Sequence, residues 1–283
     1  MLGTTLDYYL LRSLAHRRNQ ATEEALDARH REGPPRLRAD ATAKLRKLIA
    51  RFAGHFPVDP GLRYLDMGCG SGELTLAFAE LGLRHMTGID FLPRNVERAR
   101  RQASQSNAGS TVHFVCADLR SWVPEQKFDV LLSFDALEHV DAPREFLQAM
   151  RRFAAPGGIA VLAFGPLFHS PLGDHMWDFF RLQIPWRGLL FSERAVLRVR
   201  REFFRPTDPA GSYREIAGGL NQMRYSEFLG YVQAAGWAFE YLAVNTFFRR
   251  LPPLRLVSDA LMRIPRVRDY FVHNVYAVLR APG

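Results

Sequence analysis

Residues 64–72 read Tyr-Leu-Asp-Met-Gly-Cys-Gly-Ser-Gly: an apolar strand closed by an acid, glycines at three alternate positions, then the start of a helix. Glycine accepts positive φ and lets a ligand lie against the main chain, and such strand-to-helix turns are where open α/β sheets bind ligands. A second apolar run, His85 to Asp90, ends in a carboxylate placed to grip a pair of ribose hydroxyls. Together they constrain the chain to a βα-repeating fold that holds a nucleoside at its strand ends.

Dinucleotides and S-adenosylmethionine both lie across turns of this kind, and charge separates them. Pyrophosphate binders use G-x-G-x-x-G and aim a helix N-terminus at the phosphates. Here the third position of that pattern is Glu73, whose carboxylate repels a pyrophosphate. A sulfonium with an amino-acid tail carries no phosphate, so Asp66 and Glu73 beside the turn are tolerable. A dinucleotide-dependent oxidoreductase is thereby disfavoured.

Further segments follow in a set order: Val115-Cys116-Ala117-Asp118-Leu119, then Phe128 to Val140 (Phe-Asp-Val-Leu-Leu-Ser-Phe-Asp-Ala-Leu-Glu-His-Val), then Phe153-Ala-Ala-Pro-Gly-Gly158. With the glycine turn and Asp90, these resemble the class I S-adenosylmethionine-dependent methyltransferases over roughly Arg63 to Phe164. The resemblance implies a Rossmann-like, doubly wound α/β sheet of seven strands closed by an antiparallel hairpin. It also implies that Asp118 bonds the adenine amino group, Leu119 packs on the ring, and Phe134 lies near the methionine end. The expected cofactor contacts are Asp66, Gly68, Cys69, Gly70, Gly72, Asp90, Phe91, Asp118, Leu119 and Phe134.

With 283 residues, 47% of them hydrophobic, the chain can bury a substantial core. The reading is an N-terminal helical segment over 1–60 and a core over 61–283, with a lid insertion at 165–223 and a second insertion at 246–270. Helical periodicity covers 4–30 and 37–56, broken at Gly33-Pro34-Pro35. Strands are expected near 62–67, 85–90, 112–116, 128–133, 158–164, 237–244 and 272–279. Helices are expected near 72–82, 93–106, 141–154, 226–235 and 256–263, with Pro93 and Pro143 suited to helix starts.

The net charge of +9 is nearly all arginine, lysine occurring only at 44, 47 and 127. The stretches Arg194–Arg205 and Arg249–Arg268 could meet an anionic acceptor or a membrane surface, so peripheral membrane contact is open. No nucleic-acid recognition module flanks the core, and no apolar run is long enough to span a bilayer. The two cysteines, Cys69 and Cys116, lack metal-ligand spacing and fit reduced thiols in a cytoplasmic enzyme. Oligomeric state is not legible.

Methyl transfer from a sulfonium is an in-line displacement, so positioning does most of the work. A base matters only when the acceptor is protonated at neutral pH, as a hydroxyl is and a carboxylate is not. His139 follows strand four on the cofactor side and is a candidate base, or else a residue that shapes the methionine pocket. Glu138 is expected to cap the next helix or pair with an arginine. The lid gathers His169, Asp174, His175, Trp177 and Asp178 around Pro171 and Gly173. His175 poised by Asp174 or Asp178 is a second candidate base, with His169, Trp177, Trp186 and Asn221 as candidate acceptor contacts. Those histidines and acids could ligate a divalent ion, but their spacing is neither helical nor paired and no metal is expected. The loop could also fold on its own hydrogen bonds, with Trp177 and Phe179 as core anchors. The function read is methyl transfer to a small molecule, possibly anionic, at a hydroxyl oxygen ahead of nitrogen or carbon. A non-catalytic cofactor-binding scaffold is the alternative of another class.

Overall fold

The computed structural model describes residues 3–15 and 43–283, apart from 44, 53, 108, 177, 178 and 217. The expectations for Trp177, for Asp178 and for most of the N-terminal helical region lie outside these residues.

Seven strands form one sheet: β1 Arg63–Met67, β2 His85–Asp90, β3 Val112–Cys116, β4 Phe128–Phe134, β5 Ala154–Phe164, β6 Ala238–Asn245 and β7 Asn274–Arg280, in the order β3-β2-β1-β4-β5-β7-β6. β1 to β5 are parallel, and β7 enters antiparallel between β5 and β6. The order reverses at β1, which pairs with β2 on one side and β4 on the other. That reversal opens a crevice at the strand C-terminal ends.

Helices cover both faces, so the inner strands read as apolar runs whose alternate residues feed different cores. Leu65, Met67 and Leu131 enter a core that includes Phe146, Met150 and Phe153 of α4 (Pro143–Phe153) and Phe228 of α7 (Tyr225–Ala234). Tyr64, Val130, Leu132 and Phe134 enter the opposite core with Phe78 of α2 (Glu73–Glu80), Val96 of α3 (Pro93–Ser104), Leu45 and Leu48 of a helical stretch over 45–51, and Phe52 just after it.

β5 starts four residues earlier than expected. Ala154 pairs with Phe128 and Ile159 with Val130, so the Pro156-Gly157-Gly158 segment is a bulge and not a turn before the strand, with Gly157 at φ 67°. Residues 165–223 hold two further helices, α5 (Arg187–Leu190) and α6 (Glu193–Phe203). Helix α6 enters a third hydrophobic cluster, in which Tyr8, Leu11 and Ala15 of the N-terminus pack with Phe168, Phe180, Val196 and Phe204. The N-terminal helix α1 (Gly3–Leu14) thus docks on the lid, where Tyr8 hydrogen-bonds Glu202 and Asp7 accepts from Ser192 N at 2.9 Å. The second insertion carries α8 (Pro252–Leu261), which starts four residues before its expected place because Pro252 and Pro253 occupy the first helical turn.

Candidate active site

The turn after β1 is held by β2: Gly68 N and Cys69 N both donate to Ile89 O, at 2.9 and 3.1 Å. Gly68 sits at φ 77°, where a Cβ would lie 2.9 Å from Ala136 Cβ; this contact brings the turn against the loop after β4. Gly70, at φ 55°, faces open space within 4 Å, leaving a main-chain cradle on its exposed side. Asp90 closes the other wall. Its Oδ2 accepts from Gly70 N at 3.0 Å and its Oδ1 from Leu92 N at 2.9 Å and Asn95 Nδ2 at 3.2 Å. A carboxylate oxygen has two acceptor sites, so Oδ2 of Asp90 keeps one for a ribose hydroxyl while the acid is fixed in place. Phe91 is 69% exposed at this wall, an apolar ring without a core to fill. The open cradle, the fixed acid and the exposed ring fit an adenosyl group.

Asp66 is buried beneath the turn and accepts from Thr75 Oγ1 at 2.6 Å, so it braces the turn from below. Glu73 Oε1 accepts from Ser71 Oγ at 2.7 Å, which ties the helix start to the turn. Burial, reinforced by Asp66 and Asp90, pushes the Cys69 thiol far up, which leaves no thiolate nucleophile there. Asp118 is gripped by Arg120 through its Nε at 3.0 Å, and this hydrogen bonding holds its carboxyl at about 2. An adenine amino group at Asp118 would share the carboxylate with Arg120. Leu119 is half-buried against the first core.

Phe134, expected near the methionine end, has its ring buried 5.9 Å from Phe78 in a stacked pair, because β4 alternation sends it into the core. The next residue, Asp135, sits at φ 49° and is exposed, its N donating to Ala163 O at 2.8 Å. It lines a hollow of about 350 Å³ with Lys47, Arg51, Phe164, Asn274 and Tyr276. Nothing in the spacing of Lys47 or Asn274 points to this hollow, whereas Asp135 stands inside a segment already singled out.

A second cavity, about 240 Å³, lies under the lid and is lined by His139, Asp174, His175, Phe179, Arg200 and Gly219, among others. It brings together two of the three residues expected to be catalytic as ring neighbours: the His139 and His175 centroids are 5.3 Å apart with perpendicular planes. His139 Nδ1 lies 2.7 Å from Gly219 O, and His175 Nε2 lies 2.8 Å from Pro166 O. A carbonyl only accepts, so these nitrogens carry the protons, and Nε2 is the nitrogen of His139 left to take one. Burial pushes the His175 pKa down.

Asp174 does not poise His175. Both of its oxygens accept from Arg187, at 2.7 and 2.9 Å, in a fully buried pair with the guanidinium 4.1 Å above the Phe180 ring. Asn221 is likewise no acceptor contact: its Nδ2 donates to Leu137 O and Val140 O at 2.6 and 2.8 Å, and its Oδ1 accepts from Met223 N at 2.9 Å. It pins the lid's end to the loop after β4. Trp186 donates to Tyr270 O at 2.8 Å and meets Phe248 and Phe271, joining the lid to the second insertion instead of walling the cavity. Glu138, expected to cap the next helix or pair with an arginine, accepts on its Oε1 from Gly165 N at 2.9 Å, which ties the loop after β4 to the end of β5. His169 is half-buried between Phe168 and Tyr270, and burial pushes its pKa down. Among the described residues, no three His, Cys, Asp or Glu side chains are grouped to hold a metal ion.

His273, just before β7, gives a stability signature. Its Nδ1 meets Ser170 Oγ at 2.9 Å, and that hydroxyl donates to Leu167 O at 2.8 Å, so His273 is the donor. Burial first, then Arg249 and His175, push its pKa from 6.5 to about 4. Between these values the unfolded chain binds the additional proton, so stability falls as pH drops through this window. His273→Asn is expected to flatten unfolding free energy measured against pH between 6.5 and 4 by up to one proton, about 1.4 kcal/mol per pH unit. An unchanged slope contradicts this.

Comparison with known proteins agrees with the geometry. Residues 65–162 match a methyltransferase domain family. The chain is 32% identical over 250 residues to the trans-aconitate 2-methyltransferase of Streptomyces coelicolor, an alignment covering 83% of this chain and 73% of that protein. It is 33% identical over 143 residues to the mitochondrial ubiquinone biosynthesis O-methyltransferase of Arabidopsis thaliana, covering 47% and 44%. The chain spans about half the length of several relatives it matches. In fold it is similar to an S-adenosylmethionine-dependent methyltransferase from Mesorhizobium loti (TM-score 0.51, 18% identity, 82% and 96% coverage) and to the [4+2]-cyclase SpnF (TM-score 0.53, 18% identity, 85% and 80% coverage). The chain belongs to the class I S-adenosylmethionine-dependent methyltransferases.

Proposed function

We propose that this protein methylates a hydroxyl oxygen of a small-molecule acceptor held under the lid, with His139 as general base. The observation that carries the reading is the 2.7 Å contact of His139 Nδ1 with Gly219 O, which leaves Nε2 as the ring's proton acceptor beside the 240 Å³ cavity. S-Adenosylmethionine, when bound, supplies a methyl group made electrophilic by its sulfonium. Gly68, Gly70 and Asp90 would hold its adenosyl part, and the loop Asp135–Ala136 joins that turn to the 350 Å³ hollow. His139 takes the acceptor's proton on Nε2 as the oxygen becomes nucleophilic, and Gly219 O stabilises the resulting imidazolium through the Nδ1 proton. His175 serves as the neutral neighbour: its lowered pKa keeps a second positive charge away from a ring that must itself become charged. The ubiquinone biosynthesis and 27-O-demethylrifamycin relatives, both named for oxygen acceptors, support the choice of oxygen.

The hollow with Lys47 and Arg51 favours a second reading, an acceptor whose carboxylate is methylated directly, in line with the trans-aconitate relative. The two readings separate in one experiment, transfer of labelled methyl to panels of hydroxy and carboxylic acceptors. His139→Ala is expected to lower kcat about a hundredfold for the hydroxyl acceptor without changing S-adenosylhomocysteine affinity. An unchanged kcat assigns the oxygen to a carboxylate, and Arg51→Gln should then raise KM.

A further inference from the structure

The second insertion does little for the core. In α8 the only buried residue is Ser258, whose hydroxyl donates to Leu254 O within the helix. Its apolar side chains point outward instead: Leu251, Leu254, Leu256, Val257 and Ile264 are between 46% and 71% exposed. Leu256 lies nearly opposite Ser258 around the helix, at the outer pole. Such a run costs free energy in water, and it is concentrated in fourteen residues of sequence, not scattered. Around it, residues 246–268 carry six arginines, at 249, 250, 255, 263, 266 and 268, against one carboxylate, Asp259, which already pairs with Arg255 at 3.4 Å. An apolar ridge rimmed by long cationic side chains matches a surface that is apolar beneath and anionic on top.

We propose that α8 and its flanks dock this protein on bilayers bearing anionic phospholipid headgroups. Leu256 and Val257 enter the headgroup–acyl boundary, and the arginines contact phosphates. A second copy of the chain fits less well, because a two-fold contact would place this arginine excess against itself. The platform is joined to residues 165–223 through the hydrogen bond from Trp186 Nε1 to Tyr270 O. The docking stands whether or not the acceptor is a hydroxyl.

The test is co-sedimentation of the full chain with phosphatidylcholine vesicles, with and without phosphatidylglycerol, as salt is raised. Binding is expected only to the anionic vesicles, weakening as salt increases. L256S/V257S should weaken it about tenfold or more, and R249Q/R250Q/R263Q roughly fivefold per charge removed. All five positions are exposed, so circular dichroism should be unchanged. R94Q/R98Q/R101Q, on α3 at the opposite edge of the sheet, should have little effect. The proposal is overturned if wild-type protein leaves the anionic vesicles unbound. It is equally overturned if the α3 variant loses as much as the α8 variants, or if L256S/V257S merely turns a lipid-free dimer into a monomer in light scattering.

Discussion

Asp90→Ala is expected to weaken S-adenosylhomocysteine binding by two to four orders of magnitude in calorimetry, roughly 3–6 kcal/mol, with methyl transfer falling in step. Two contributions combine. A ribose hydroxyl loses its charge-assisted hydrogen bond to the carboxylate, about 1.5–3 kcal/mol. The turn also loses its clamp, because Asp90 accepts from Gly70 N on one oxygen and from Leu92 N on the other. Asp90→Asn separates them. Its amide keeps one acceptor oxygen and most of the shape, so it should retain the fold and recover part of the affinity. If the alanine variant binds with wild-type affinity, the crevice between β1 and β2 is not the adenosyl site.

The parts of this fold legible in the sequence are those where local chemistry and global position coincide. The glycine turn needs φ values that few other residues accept, and β1, β2 and β4 are buried over most of their length, so they read as largely apolar segments. The lid is different. Its helix α6 has an ordinary amphipathic pattern, but the surface it buries is supplied by Tyr8 and Leu11, almost two hundred residues earlier, and no local pattern reveals such a partner. The same holds for side chains. Asn221 and Trp186 are the kinds of residue that contact substrates, yet their hydrogen bonds are spent on distant carbonyls. Phe134 occupies the expected position, but a strand's alternation decides which face a ring takes. His139 and His175 were legible as candidates; that they are ring neighbours depends on the lid's return to the loop after β4, which Asn221 secures.

Asp174, expected beside His175 as part of a base, supplies the sharpest stability prediction. Arg187→Met leaves a carboxylate with no accessible surface and no counter-ion, and is expected to cost about 3–5 kcal/mol. Asp174→Leu should cost a similar amount by stranding the guanidinium. Among the described residues Arg187 Nη1 has no hydrogen-bond partner, so the pair is incompletely satisfied by them even when intact. The double variant Asp174→Leu/Arg187→Met, which fills the same space with apolar atoms, should therefore recover most of the loss. The pair joins the loop before α5 to α5 itself, inside the third hydrophobic cluster, so the loss should fall first on the lid. Hydrogen exchange is expected to show faster opening over 165–223 in each single variant, with β1 to β4 changed less. Additive losses in the double variant, or uniform loosening of sheet and lid, would mean that the pair stabilises something other than the lid's closure over the histidines.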